Sequence, residues 1–415
     1  MPSQENYLSA TRRAGETLLR EFTAKMGSDY ERLRNFDLGP GQHRSVSQLS
    51  PYVRRRLVLE SEVVQAALEA HGRCASEKFI QEVFWRTYFK GWLELRPTIW
   101  SQYQRGLAAD LSALETNSAL NVRVKMAESG RTGLAYFDAW VNELVTTGYL
   151  HNHARMWFAS IWIFTLGLPW RIGADFFYRH LLDGDAASNT LSWRWVAGLH
   201  TRGKAYTAEG WNIQKFTAGR FHPDSGELSK DIEPLDYTEP LGLPEIQKFR
   251  DPLKPDTKIP SLLLLTDEDC CIEDYDLAAF SWVAVASLLS SQARSPRAVS
   301  ASVIEFERRA LADTAGRNKL TPVWFDATSN DESVTRLIDF IIQSGAKQLV
   351  TAYLTQGPTR DLLEAHLPVL RTHGIRLSEW RRDWDTLIWP HAGAGFFKVK
   401  QKIPDFLQQL IVCKG

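Results

Sequence analysis

No stretch of this chain approaches the roughly 18 consecutive apolar residues of a membrane-spanning helix, so no span is expected. The longest aromatic-rich stretch, Met156 to Trp170, is broken by Ser160, Gly167 and Pro169. The N-terminus, MPSQENYLSATRR, has no apolar core. No signal peptide is expected, and a cytoplasmic protein is the reading. Cysteine is scarce: Cys74, Cys270, Cys271 and Cys413 are all there is. Their spacing fits neither a zinc site nor a four-Cys iron–sulfur cluster, so no metal is expected. The vicinal pair Cys270–Cys271 reads as reduced thiols at a strand end. Net charge is also absent, with 49 Lys+Arg against 49 Asp+Glu. Nucleic-acid binding would therefore rest on a local patch, not a global basic field. There is no Gly-rich phosphate loop. GAGF at 393–396 sits near the C-terminus instead of following a first strand, which argues against a dinucleotide fingerprint.

What is present divides into two halves and a linker. Residues 1–235 read as mostly helical, with apolar residues at three and four spacing in Val63–Leu68, Phe79–Trp92 and Phe137–Leu144. Ser61 is placed to N-cap the helix after it, and Asp138 suits an early turn. Residues 236–260 hold EPLGLPEIQKFRDPLKPDTKIP, proline-rich and aperiodic, and read as a linker. Residues 261–415 alternate. Leu262–Leu265, Ala298–Phe306, Pro322–Asp326, Gln348–Tyr353 and Ile375–Trp380 read as strands. Phe280–Leu289, Arg308–Ala312, Glu332–Ser344 and Thr359–His373 read as helices. Alternation of this kind implies βαβ units and a parallel, Rossmann-like sheet. Its strand–loop junctions at Thr266 and Thr355 are placed to meet a ligand at the carboxyl edge. The expected fold is mostly α: an N-terminal all-helical domain followed by an α/β domain.

The chemistry concentrates between His151 and Trp195. This stretch holds Asn152, His153, Arg155 and Met156 together, then Asp183, Asp185 and Asn189, with five Trp in 45 positions. Arg155 and Asp183 are opposite charges in aromatic surroundings, where charge survives only when paired or bonded to a ligand. Upstream, Ser45, Ser47 and Ser50 cluster before a helical segment, and hydroxyls with free backbone N–H groups there suit an anion. In FIQEVFWRTYF, Glu82, Trp85 and Arg86 fall within about one helical turn. Arg54, Arg55 and Arg56 read either as a solvated helix face or as a phosphate-backbone contact.

These motifs resemble the FAD-binding domain of the DNA photolyase/cryptochrome family over about residues 10–225. Tyr30, Arg34, Ser47, Gln48, Leu49 and Ser50 match the family's pyrophosphate-holding segment, with Val46 where Thr is usual and Gln48 where Arg is usual. Glu82, Trp85 and Arg86 match its Glu-x-x-Trp-Arg. The resemblance implies that Glu82 hydrogen-bonds a pyrimidine dimer, that Trp85 and Trp195 stack on it, and that Arg86 lies near flavin and DNA. TGYLHNHARM and DGDAASN imply that Asn152 contacts adenine and lesion, and that Met156 packs on the dimer. Arg155 would pair with Asp183 beside the isoalloxazine. Asp183 and Asp185 would contact its ring and ribityl region, and Asn189 would face flavin N5. His153 stands where an Arg usually meets DNA phosphate. Trp193 and Trp170 match the two inner members of the photoreduction relay; Trp100, Trp92 and Tyr103 are candidates for the outer one. Segment 385–407 is similar to the strand and exit segment ending an ordinary antenna domain. The family places its α/β domain first, so a short or circularly permuted member is the reading. A second, antenna chromophore stays unassigned.

The implied activity is FAD-dependent, light-driven repair of cyclobutane pyrimidine dimers by a monomer acting on UV-damaged DNA. A cryptochrome-like photoreceptor without repair is the alternative. Repair of (6-4) photoproducts is another, although Asn152, not a second histidine, follows His151. A protein purified without flavin would instead be a plain helical binding module.

Overall fold

The computed structural model describes residues 9–230, 232–239, 242–327 and 332–410; Cys413 lies outside them. Eleven helices come first: α1 Arg12–Thr23, α2 Ser28–Leu33, α3 Ser50–Arg54, α4 Glu60–Glu94, α5 Pro97–Thr116, α6 Ser118–Glu128, α7 Ala135–Thr147, α8 Asn152–Ser160, α9 Trp170–His180, α10 Ala186–Val196 and α11 Gly210–Phe216. An alternating series follows: β1 Ser261–Leu265, β2 Trp282–Leu289, α12 Ala301–Arg317, β3 Val323–Asp326, α13 Glu332–Gln343, β4 Gln348–Ala352, α14 Pro358–Thr372 and β5 Arg376–Trp380. Two helices close it, α15 Asp383–Ile388 and α16 Phe396–Leu410. Among the described residues no helix is long and apolar enough to cross a membrane.

The five strands are parallel, in the order β3-β2-β1-β4-β5. Side chains on β1 alternate with the pleat. Leu262 and Leu264 join a core with α13 and α14. Leu263 and Leu265 join a larger core that includes α12 and the helical half. That core runs from Ala10 to Leu407, so both halves share one apolar interior.

Several local expectations are corrected. Phe280–Leu289 is not helical: WVAVASLL forms β2, flanked by β1 and β3. A parallel strand covered on both faces reads as a continuous apolar run, which periodicity alone does not separate from a buried helix. Ala298–Phe306 is not a strand, because the chain enters α12 after Ser300 and buries Val303, Phe306 and Ala310 on one helical face. Ser61 is not a cap. Helix α4 starts at Glu60, and the Glu62 carboxylate accepts the Leu59 N–H at 2.8 Å. Segment 385–407 holds no strand; it forms most of α15, a short 3-10 turn and most of α16.

Helices α15 and α16 pack against α4, and this contact matters for the cavity described below. Trp384 Nε1 donates to Thr87 Oγ1 at 2.9 Å. Gly91 lets α4 approach Trp389: a Cβ there would lie 2.7 Å from Trp389 Cδ1 and 3.0 Å from the Ala392 Cβ. Gly91→Val is expected to cost about 1–3 kcal/mol by overpacking a rigid, buried indole. Denaturant titration of the variant beside wild type measures it.

The arginine run 54–56 is neither a solvated face nor a DNA contact. All three side chains are buried where the halves meet. Arg54 donates to the carbonyls of Gly184 and Asp267 and to Glu268. Arg55 lies 3.3 Å from Asp267, and Arg56 grips Asp385 through both carboxylate oxygens at 2.7 Å. The carboxyl edge of the sheet is thereby closed: Thr266 is buried and Thr355 Oγ1 donates to Glu268.

Candidate flavin and lesion cavity

A cavity of about 630 Å³ opens between α4, the turn before α3, α8, the Leu181–Val196 segment and the start of α16. Of the residues singled out in the sequence, Tyr30, Arg34, Ser47, Gln48, Leu49, Ser50, Glu82, Trp85, Arg86, Asn152, His153, Arg155, Met156, Asp183, Asp185, Asn189, Trp193 and Trp195 all line it. Trp170 does not. It begins α9, buried, with its ring 5.9 Å from Tyr103, which stacks in turn on Trp100 at 5.4 Å. Trp92 lies elsewhere, 4.8 Å from His200.

Local structure explains the gathering. In α4, spacing by three and four turns Glu82, Trp85, Arg86 and Phe89 toward one side. The turn before α3 needs Gln48 in the left-handed region, at φ 52°. Asp185 N-caps α10, accepting the Ser188 N–H at 2.8 Å, and so fixes the register that places Asn189 and Trp193. Asn189 Nδ2 donates to the Ala174 carbonyl at 2.8 Å, which orients its side chain.

The charges are arranged in pairs. Arg155 Nη2 donates to Asp183 Oδ2 at 3.0 Å, while Arg155 Nε holds the Leu150 carbonyl. Burial alone would raise the Asp183 carboxyl, but Arg155 and Arg86 override it and hold it below its usual range. Asp185 behaves likewise: burial opposes its charge, and Lys90, Arg86 and Arg54 hold it far below an ordinary Asp. Lys90 lies 3.7 Å from Asp185 and 3.4 Å from Glu268, so it joins the cavity wall to the sheet. Glu82 bridges Arg34 at 2.8 Å and Lys78 at 3.0 Å.

The histidines play other parts. His153 is stacked on Trp157 at 4.2 Å, and its Nδ1 meets the Asn35 carbonyl. Burial lowers its pKa, so at neutral pH it brings no cation for a phosphate. His151 caps α8 and is fully buried outside the cavity lining. Behind it Asp37, His43 and Glu143 form a buried acid–imidazole group already neutralised in part by Arg220. That group had no sequence signal, because its members are scattered over more than a hundred positions. Phe396, Lys90 and Tyr149 were likewise not read from the sequence, although Phe396 and Tyr149 line the cavity.

The cavity fits FAD by its chemistry. Five buried polar atoms of lining residues lack hydrogen-bond partners: Asp183 Oδ1, Ser188 Oγ, Arg86 Nη1, Trp193 Nε1 and His200 Nδ1. Buried polar groups are nearly always satisfied, so this set calls for a ligand with donors and acceptors of its own. Together they offer an acidic acceptor, a hydroxyl, a cation and aromatic surfaces. That set suits a planar heterocycle joined to a phosphorylated sugar chain.

Comparison with known proteins agrees. Residues 79–221 match the family profile of the FAD binding domain of DNA photolyase. A deoxyribodipyrimidine photo-lyase of Streptomyces griseus is 31% identical over 223 residues, 48% of this chain and 46% of that protein. Its Escherichia coli (strain K12) counterpart is 28% identical over 189 residues, 45% of this chain and 39% of that protein. The chain thus spans less than half the length of the curated relatives it matches. The crystal structure of a Synechocystis sp. PCC6803 cryptochrome aligns with 52% of this chain and 46% of its own, at 24% identity and a TM-score of 0.41. Over residues 79–221 the chain is similar to the FAD-binding domain of the DNA photolyases.

Proposed function

We propose that this protein splits cyclobutane pyrimidine dimers in DNA under blue light. FAD, when bound, supplies the light-absorbing electron donor. The side chains bind and orient. Trp85 and Trp195 supply two stacking surfaces of the kind that hold a flipped base. Glu82, held by Arg34 and Lys78, presents a carboxylate to the same space. Asn152 and Met156 add an amide and an apolar contact. Asp183 and Asp185, kept ionised by their cations, orient donors of the cofactor, and Asn189 offers it a neutral amide. The observation that carries this reading is the convergence of Glu82, Trp85, Asn152, Met156 and Trp195 on one cavity with the flavin set. The burial of His151 supports a cyclobutane dimer over a (6-4) photoproduct, which would call for adjacent histidines facing the lesion.

The cryptochrome-like alternative is favoured by one feature, the uncharged, stacked His153 in place of a phosphate-binding cation. A repair assay separates the two. The photoreduced holoprotein is expected to remove dimers from an irradiated oligonucleotide only in light. Glu82→Ala is expected to lower the light-driven rate by about tenfold or more, the scale of one lost charge-assisted hydrogen bond. No repair by a protein carrying stoichiometric FAD would leave the photoreceptor reading in place.

A further inference from the structure

The wall that carries Trp85 is finished from the other end of the chain. Trp85 lies face to face on Phe396, with ring centroids 3.9 Å apart and planes 16° from parallel. Phe396 is the first residue of α16, is 8% exposed, and lines the cavity beside Gly395. Its ring also meets Tyr88 edge-on at 5.6 Å. The turn before it is tied once to α4 and once to the junction between α4 and α5. Tyr88 Oη donates to the Ala394 carbonyl at 2.9 Å, and Arg96 Nη2 donates to the Gly393 carbonyl at 2.8 Å. Further along α16, Phe406 stacks on Phe84 of α4. The Phe396 ring is therefore held by its own helix and by α4, and it covers one face of the indole.

We infer that Phe396 is a positioning residue for base stacking: it backs Trp85 so that the opposite indole face is presented, at a fixed angle, to a flipped base. This rests on the reading of the cavity as a lesion pocket. A half-exposed tryptophan without a backing ring samples several rotamers, and a base that stacks on it must bear the cost of ordering it. A parallel aromatic contact removes that freedom in advance. The GAGFF segment, unlike a phosphate loop, then has a definite task. Gly393 and Ala394 supply the carbonyls that anchor the turn, and Phe396 supplies the ring.

The test uses FAD-loaded full-length protein and one thymine-containing oligonucleotide, irradiated or not, with affinity measured in the dark by fluorescence anisotropy. Flavin absorbance gives FAD per chain. Phe396→Ala is expected to weaken binding to the irradiated oligonucleotide by roughly 3- to 10-fold with unchanged FAD content, the scale of one aromatic pair. Phe396→Leu, which refills the volume without a flat face, is expected to stay weak. Phe396→Tyr is expected to restore affinity. A purely structural role would give equal recovery by Leu and Tyr, and that result overturns the inference. Tighter binding by Phe396→Ala overturns it too, because the ring would then be occupying the seat of the base. Where Phe396→Ala does not fold, the difference between Leu and Tyr decides. Wild type that discriminates while every variant matches it sinks this inference alone. Wild type that does not discriminate irradiated from unirradiated DNA sinks the lesion-pocket reading, and the inference with it.

Discussion

Arg56→Ala is expected to destabilise the folded chain by about 3–5 kcal/mol at neutral pH, the range found when one partner of a buried ion pair is deleted. Arg56 is 6% exposed and reaches three acids at once. It donates to both oxygens of Asp385 at 2.7 Å, lies 3.3 Å from Glu60 and 3.6 Å from Asp269. Asp269 keeps a second partner in Arg382, but Asp385 and Glu60 would face each other with no cation between them. Removing the charge on the acid side should recover part of the loss, so Arg56→Ala with Asp385→Asn is expected to be more stable than Arg56→Ala alone. The pH dependence has a definite sign. Burial already raises the Asp385 carboxyl despite Arg56, and loss of the guanidinium would raise it further. A carboxyl whose folded pKa exceeds its unfolded value binds more protons in the folded state. Its contribution is fully present below the unfolded pKa and is lost as pH rises through the folded one. The deficit of the single variant should therefore shrink as pH falls from 7 toward 5. Urea titrations at both pH values check it; a deficit that is constant or grows with acid would exclude this account.

The same arginines show where the sequence stops being informative. Three basic residues in a row look alike whether solvated or buried. Their partners Asp267, Glu268, Asp269 and Asp385 lie more than two hundred positions away, and only the docked sheet brings them near. The flavin-side residues were legible for the opposite reason. Glu82, Trp85 and Arg86 share one helix, and Asp185 and Asn189 share the start of another, so short spacings carry that part of the geometry. Strand β1 was legible because TDEDCC ends a short apolar run abruptly. Strand β2 was not, because its second half, 286–289, is buried on both faces, which erases the alternation that marks a strand. Phe396 had no local signal at all: its meaning depends on Trp85, which a reading by windows never sets beside it.

Asp183→Asn is expected to purify with FAD occupancy reduced by roughly ten- to a hundredfold in apparent affinity, the effect of losing a hydrogen bond to a charged acceptor. The carboxylate has two tasks. Its Oδ2 accepts from Arg155, and its Oδ1 is buried with no partner of its own. An amide keeps the shape but removes the negative charge, leaving Arg155 without its acidic partner. Arg155→Gln combined with Asp183→Asn tests whether that stranded cation is the main defect. Recovery of FAD in the double variant would assign the loss to Arg155. No recovery would assign it to the acceptor itself, which is the expected result, because an amide presents a weaker acceptor than a carboxylate at Oδ1. Since Arg155 and Arg86 hold the Asp183 carboxyl below its ordinary range, wild-type occupancy should be independent of pH between 5 and 8. Occupancy read from flavin absorbance after gel filtration at each pH measures both effects. A wild type that sheds FAD by pH 5 would show that some other group, not Asp183, governs retention.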